Sequence, residues 1–513
     1  MKYNISYKDV IGENTKFWRA AGLDHLFFLT DDPTGQSLLD RMGNKGKGTL
    51  KYVRNHHTFT NHTILGHQVG ARVYSEDENG NPVYNFEHIN RYFGEYVKRG
   101  IKPIVEYDYM PFELAEKENI QDKDEGFLTN DSGPKDWKKW EDLIRKFTEN
   151  LIETFGIDEV RTWYFEVWNE PDYWPLDDVE TFYKMYDVFS ETVKSVDKEL
   201  RVGGPGCYRA DFMVGFLNHI TYGTNYVTGK VGSTIDFISF HVYAMSYLWI
   251  KECPLIVPTV QQILHDIIWV RRLIITKFPS LAEKEFQVNE WGVCSGYEYT
   301  REVCPNFALR DTEFSALFFV KLMCSLWTLG DAYDLCPDMM LYWGFSFEDF
   351  NNILFNSERS LTTAGGLAKP ILTAMEIFEK TGDERLKVDG QYNGGTSGIA
   401  ATKGDDSIQI ALYHFDEQEP HSEIKKTFDI DVEGLDCKSV KFEVFTMDSE
   451  NNVHAEWVRQ GRPETPDLAD MDKLREKTEL KPEVLTAEVK DGKINLNFTL
   501  PSSTFVFLDG KLQ

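Results

Sequence analysis

Eight short apolar runs alternate with amphipathic stretches over about 350 residues of this chain, and that alternation limits the possible folds more than any other feature. The runs are residues 22–29, 50–55, 101–108, 163–168, 201–204, 235–240, 286–289 and 340–345, each bounded by Gly, Pro, Asp or Asn. Helical spacing of apolar residues fills the gaps, most clearly at 137–155, 179–196, 259–278 and 313–327. Strand and helix in strict alternation predict an α/β fold, a (β/α)8 TIM barrel. In such barrels the reactive groups stand at the carboxyl ends of the strands.

Two glutamates stand at such ends. Residues 163–172 read W-Y-F-E-V-W-N-E-P-D, where the apolar run stops at Asn169-Glu170-Pro171 because proline cannot continue a central strand. Aromatic walls and poor hydration there would raise the pKa of Glu170 and suit it to donate a proton. A strand-ending glutamate taken alone is as readily a solvated residue or a turn cap. The second, Glu290, ends the run E-F-Q-V-N-E-W-G in the same setting. The spacing between them is roughly three β-α units of a barrel in which about 250 residues make eight. Glu170 thus belongs to the fourth strand and Glu290 to the seventh. Two carboxyls facing one bond are what glycoside hydrolysis needs.

The residues here resemble those of glycoside hydrolase family 39, which holds β-xylosidases and α-L-iduronidases within a clan of retaining barrel glycosidases. F-E-V-W-N-E-P-D is similar to that family's acid/base segment, Y-V-R-N-H-H-T-F to its second strand, and S-F-H-V-Y-A, V-N-E-W and Y-W-G-F-S follow in order. The likeness runs over roughly residues 17–370. It implies that Glu170 is the acid/base and Glu290 the nucleophile, with retention of configuration, and that Asn169 binds the sugar 2-hydroxyl. It further implies substrate-site roles for Arg54 and His56, for the pair His241 and Tyr243, and for Trp343 as the floor under the sugar. Arg54 and Tyr243 are expected to donate hydrogen bonds to Glu290. Glu348 is a candidate for binding hydroxyls, as are Glu106 and Asp108. The stretch Ser346-Phe347-Glu348-Asp349-Phe350 departs from the xylosidase pattern, so the glycone stays open.

His56, His57, His62 and His67 invite a metal reading, because histidine is the commonest transition-metal ligand. An adjacent pair on a strand points to opposite faces, however, so the expectation is no metal and no cofactor. Fourteen per cent aromatic content offers more rings than one sugar site uses, so Tyr109, Phe112, Trp168, Trp174 and Trp291 are read first as packing.

The chain carries 55 basic and 83 acidic residues, a net charge of −28, which disfavours nucleic acid and anionic membranes as partners. The same field tilts the substrate away from uronates, although Arg54, Arg209 and Lys251 are candidates for a local basic pocket. Seven cysteines without regular spacing read as reduced thiols. The first ten residues lack the apolar core of a secretory signal, which gives a cytoplasmic expectation.

Past Pro370 the pattern changes to short alternating strands at 407–413, 439–445, 493–498 and 503–508, a β-sandwich signature. The division expected is a barrel over 12–383 and an accessory sandwich over 384–513, joined by an amino-terminal strand within 1–11. Residues 456–485, dense in charge and proline, read as an excursion from the sandwich that reaches a neighbouring subunit in a homo-oligomer. The expected activity is that of an exo-acting β-D-xylosidase on short xylo-oligosaccharides. An α-L-arabinofuranosidase, an α-L-iduronidase, a β-glucosidase, a metal-dependent hydrolase and a non-catalytic carbohydrate-binding protein are the alternatives.

Overall fold

The computed structural model describes residues 1–24, 29–64, 67–117, 120–121, 129–173, 176, 178–245, 257–296, 300–302, 304–344 and 352–513. After an amino-terminal strand β1 (Lys2–Glu13) come eight parallel strands: β2 (Ala20–Leu23), β3 (Tyr52–Asn55), β4 (Lys102–Tyr107), β5 (Tyr164–Val167), β6 (Arg201–Cys207), β7 (Phe237–Tyr243), β8 (Glu285–Gly292) and β9 (Met339–Trp343). They close into a barrel, β9 pairing with β2. The helices that follow these strands in turn are α1 (Pro33–Met42), α2 (Glu87–Val97), α3 (Trp137–Phe155), α4 (Val179–Val196), α5 (Ala210–Tyr222), α6 (Val260–Lys277), α7 (Glu313–Tyr333) and α8 (Pro370–Phe378). The fold is a (β/α)8 barrel. Local chemistry sets the helix ends: Asp136 accepts from Lys138 N and Lys139 N to start α3, and Gly156 at φ 85° stops it.

A second body is one nine-stranded sheet. Its strands are β10 (Glu384–Asp389), β11 (Ser397–Gly404), β12 (Ser407–His414), β13 (Lys426–Glu433), β14 (Ser439–Met447), β15 (Glu483–Glu488), β16 (Lys493–Leu500) and β17 (Thr504–Leu512), with β1 between β10 and β13. The alternation in β12 and β17 explains how it sits. Ile410, Leu412, Val506 and Leu508 face the sheet's own core with Tyr3 and Ile5, whereas Ala411, Tyr413, Phe505 and Phe507 face the barrel core. Both faces are apolar because both are covered. Phe378 of α8 meets Phe505 and Phe507 there, each with ring centroids 6.2 Å apart. Barrel on one side and sheet on the other also explain why α7 is apolar around most of its circumference and 83% buried along Glu313–Gly330.

The excursion after β14 packs in part within its own chain. It forms α9 (Val453–Arg459) and α10 (Met471–Lys477), and these fold back on the same chain's barrel, where Val453, Trp457 and Leu474 pack with Leu354, Phe355, Ala364 and Leu367. Val458 and Leu468 of the excursion stay exposed.

Candidate active site

Period-two alternation places Tyr164 and Glu166 of β5 inside the barrel and Phe165 and Val167 against the helices. Past β5 the backbone turns through left-handed geometry at Trp168 (φ 70°) and Glu170 (φ 42°), and Glu170 N bonds to Gly206 O at 3.0 Å. Left-handed aromatic and acidic residues are strained conformations that persist where surroundings fix them.

On β8 a different device aims the second acid. Phe286 and Val288 point outward and Asn289 inward, so simple alternation would turn Glu290 outward as well. The register with β7 slips by one residue between Phe240/Val288 and His241/Glu290, leaving Asn289 as a bulge. Asn289 and Glu290 therefore both face the interior, and Trp291 turns out to pack on Phe319 and Tyr342.

These two devices bring Glu170 and Glu290 together: one carboxyl oxygen of each and Nδ1 of His241 all lie within 4.8 Å of one another. His241 Nδ1 is 2.7 Å from Glu170 Oε1 and 3.5 Å from Glu290 Oε2. Tyr243 Oη donates to Glu290 Oε2 at 2.8 Å and Arg54 Nη1 to Glu290 Oε1 at 3.0 Å. Burial pushes Glu170 up to about 7, with Arg54 and Arg359 opposing. Glu290 is raised by burial too, against His241, Arg54 and Arg359. Two direct donors face Glu290, while the bond from His241 is the one side-chain contact resolved for Glu170 among the described residues. The geometry therefore favours charge on Glu290 and a proton on Glu170. Burial holds His241 at about 4, hence neutral at working pH.

Arg54 makes the bond to Glu290 expected of it, from a fully buried position. It has no exposed surface, and its guanidinium meets Glu106 at 2.5 Å, Glu166 at 2.9 Å and Glu290 at 3.0 Å while donating to Asn169 Oδ1 at 3.2 Å. It ties Asn169 and Glu290 to the buried acids Glu106 and Glu166. Asn169 also donates to Tyr109 Oη at 3.3 Å. His56 bonds Glu106 through Nδ1 at 2.7 Å, with Nε2 3.7 Å from Glu290. Trp343 lies against that ring with centroids 4.4 Å apart, over Gly22.

The four histidines are not one cluster. His56 belongs to this network, His57 Nδ1 pairs with Thr60 Oγ1 at 3.0 Å, and His62 and His67 lie on a separate hairpin, Asn61–Ile64 with His67–Gly70. Among the described residues His56, Glu106 and Asp108 have a metal-like spacing, but the Arg54 guanidinium already occupies the carboxylate edge a dication would need. Arg209 points to solvent and pairs with Asp211, so it makes no basic pocket here. Glu348, Trp174, Lys251 and Cys253 lie outside the described residues.

Three members escaped the sequence reading. Glu166 accepts from Asn289 Nδ2 at 2.8 and 2.7 Å and from Ser239 Oγ at 2.5 Å, and Asp172, raised to about 7 by burial and by Glu170, accepts from Tyr208 N at 3.0 Å. Arg359 donates to Tyr243 Oη at 3.0 Å. Glu166 carried a signal, being an acid at an inward position of an apolar strand, as Arg54 is on its own strand.

Two carboxyls facing each other from the fourth and seventh strands of a closed barrel define a barrel glycosidase. The chain's relatives sharpen that class. It belongs to the glycosyl hydrolases family 39, whose profile it matches over residues 1–495. It is 28% identical over 481 residues to a β-xylosidase of Geobacillus stearothermophilus, covering 90% of this chain and 86% of the relative. It is 30% identical over 167 residues to human α-L-iduronidase, covering 31% of this chain and 24% of that one. In fold it is similar to a monomeric β-xylosidase from Caulobacter crescentus CB15, with a TM-score of 0.80, 22% identity and coverage of 100% and 99%.

Proposed function

We propose that the protein is a retaining exo-glycosidase, and that its substrate class is β-D-xylosides. Glu290 attacks the anomeric carbon while Glu170 protonates the departing oxygen; Glu170, now a carboxylate, then takes a proton from the water that releases the glycosyl group from Glu290. The observation that carries this reading is the approach of the two acids to within 4.8 Å. Direct displacement with inversion needs the carboxyls about 6.5 Å or more apart to admit a water, whereas a covalent intermediate needs about 5 Å. The xylose assignment is supported by relatives named β-xylosidase along nearly the whole chain, at 28% and 26% identity, and by the net charge of −28, which disfavours acidic sugars.

The test is a panel of aryl glycosides (β-D-xyloside, α-L-arabinofuranoside, β-D-glucoside and α-L-iduronide) with the first-formed anomer followed by NMR. The expected result is fastest turnover of the xyloside, β-xylose appearing first, and loss of all turnover in Glu290→Gln. An α-anomer first would exclude retention, and turnover of the iduronide alone would exclude xylose. Activity in strong chelator separates this reading from a metal-dependent hydrolase.

A further inference from the structure

Segment 352–360 connects the excursion after β14 to the catalytic centre. Its backbone is held in left-handed geometry at Asn352 (φ 51°), Phe355 (φ 49°) and Ser357 (φ 68°), a concentration of strain that only dense surrounding contacts can maintain. Those contacts come from both bodies. From the excursion, Glu464 O accepts from Leu354 N at 2.8 Å, and His454 and Trp457 pack on the Phe355 ring with centroids at 5.3 and 5.1 Å. From the barrel, Asp311 Oδ2 accepts from Ser357 N at 2.7 Å, Arg310 Nη1 donates to Ser357 O at 3.2 Å, and Lys369 Nζ donates to Glu358 O at 2.8 Å. Lys369 is itself paired with Asp311 at 2.7 Å, both fully buried.

Arg359 leaves this clamped backbone toward the reaction centre. It is 7% exposed, donates through Nη1 to Tyr243 Oη at 3.0 Å, and has Nη2 3.7 Å from Asp24. The Tyr243 hydroxyl, receiving that bond, gives its own proton to Glu290 Oε2 at 2.8 Å. A phenol that accepts from a cation becomes a stronger donor, and a relay of this kind fixes the orientation of the carboxylate it serves.

Resting on the assignment of Glu290 as nucleophile, we propose that Arg359 is a positioning residue for Glu290, acting through the Tyr243 hydroxyl and held in place by both the barrel and the excursion after β14. Other charged or titratable groups around Glu290 are Arg54 at 3.0 Å, His241 at 3.5 Å, His56 at 3.7 Å and Glu170, with Glu106 and Glu166 beyond Arg54. Arg359 adds positive charge from the side that Arg54 does not reach, so its removal favours the protonated nucleophile.

The experiment compares Arg359→Met, Arg359→Lys, Tyr243→Phe and the Met/Phe double variant in the full chain. Carboxyl-13C glutamate NMR follows Glu290, its resonance identified by disappearance in Glu290→Gln, and kcat and KM are measured on 4-nitrophenyl β-D-xyloside across pH. In Arg359→Met the Glu290 midpoint and the acid limb of kcat/KM move to higher pH by about one unit, with KM near wild type. Arg359→Lys recovers most of the shift, and the Met change shifts less in the Tyr243→Phe background than in wild type. An unmoved midpoint in a folded Arg359→Met protein, or a rise in KM with the limb in place, overturns the proposal; the latter would put Arg359 on the sugar. Because the NMR titration uses no substrate, an inactive wild type would refute the glycosidase reading while Arg359 is still tested.

Discussion

Nδ1 of His241 lies 2.7 Å from Oε1 of Glu170, and the two groups titrate on opposite sides of neutral conditions: burial holds the imidazole at about 4 and raises the carboxyl to about 7. Between those values the ring is neutral and the acid keeps its proton. Exchange of imidazole tautomer lets the same bond persist after the proton has gone, with Glu170 as donor before transfer and as acceptor afterwards. On the proposed mechanism, Glu170 acts first as acid and then as base, and this contact holds it in one place for both tasks.

The first prediction concerns pH. Glycosylation needs protonated Glu170, so kcat/KM for xylosides with poor leaving groups should fall as pH rises through about 7. Glu170→Ala should remove that limb, cost poor leaving groups far more than activated aryl ones, and be rescued by azide. Equal losses on nitrophenyl and alkyl xylosides would contradict the acid/base role.

The second concerns stability. Glu170 has its folded value raised above the unfolded one of about 4.3, so its contribution to stability is fully present below that pH and is lost as pH rises to about 7. Glu170→Gln keeps the shape without the charge. Melting curves should coincide near pH 4 and separate in favour of the variant by pH 8, by about 4 kcal/mol at most. The side chain is 17% exposed, which moves the expectation below that bound. A difference that does not vary with pH would sink the claim.

Much of this centre was readable in residue order, for reasons that particular residues make plain. The eight strands showed because each apolar run has a stop, and helix α3 was placed to the residue because Asp136 caps it and Gly156 ends it. Glu170 was marked by the proline behind it. Glu290 was found, but the reason it faces inward was not, since the bulge at Asn289 exists only in the pairing of β7 with β8. Arg359 left no trace at all: S-E-R-S-L reads as an ordinary loop, and its role comes from Tyr243, 116 residues away in the chain. The charge and proline content of the excursion after β14 say nothing about where Trp457 will be buried, so its packing on Leu354 and Phe355 was not legible.

The third prediction removes the buried cation. Arg54 is surrounded by Glu106, Glu166 and Glu290 with no water-exposed surface. Arg54→Met should therefore cost about 3–5 kcal/mol near neutral pH, because carboxylates are left buried without a counter-charge. The cost should shrink at pH 5, where Glu106 and Glu290, both raised by burial, accept protons more readily. Arg54→Lys keeps the charge but lacks the planar fork that serves Glu106, Glu166, Glu290 and Asn169 together, and should recover stability better than activity. Denaturant titrations at pH 5 and pH 8 decide this; a pH-independent loss would mean that packing, not charge, is what Arg54 supplies.

The fourth concerns Gly22, whose lack of a side chain makes room for the tryptophan beneath the candidate sugar site. A Cβ built there would fall 2.1 Å from Cε3 and 2.2 Å from Cζ3 of Trp343, with Leu341 Cδ2 at 2.8 Å. No rotation of a methyl relieves such contacts, so Gly22→Ala must push the indole. The ring has His56 on its other side at 4.4 Å and the Arg54 guanidinium 5.4 Å from its centre, so any tilt disturbs groups that face Glu290. We expect a stability loss of about 1–3 kcal/mol, as for other overpacked sites, together with a fall in kcat/KM on aryl xylosides that exceeds what the lost stability explains at 25 °C. Gly94→Ala is the control: it sits in helix α2 with nothing within 4 Å of its built Cβ, and should be neutral or stabilising by about 0.5–1 kcal/mol. Wild-type kinetics in a folded Gly22→Ala enzyme would show that the indole's position is not what the sugar site depends on.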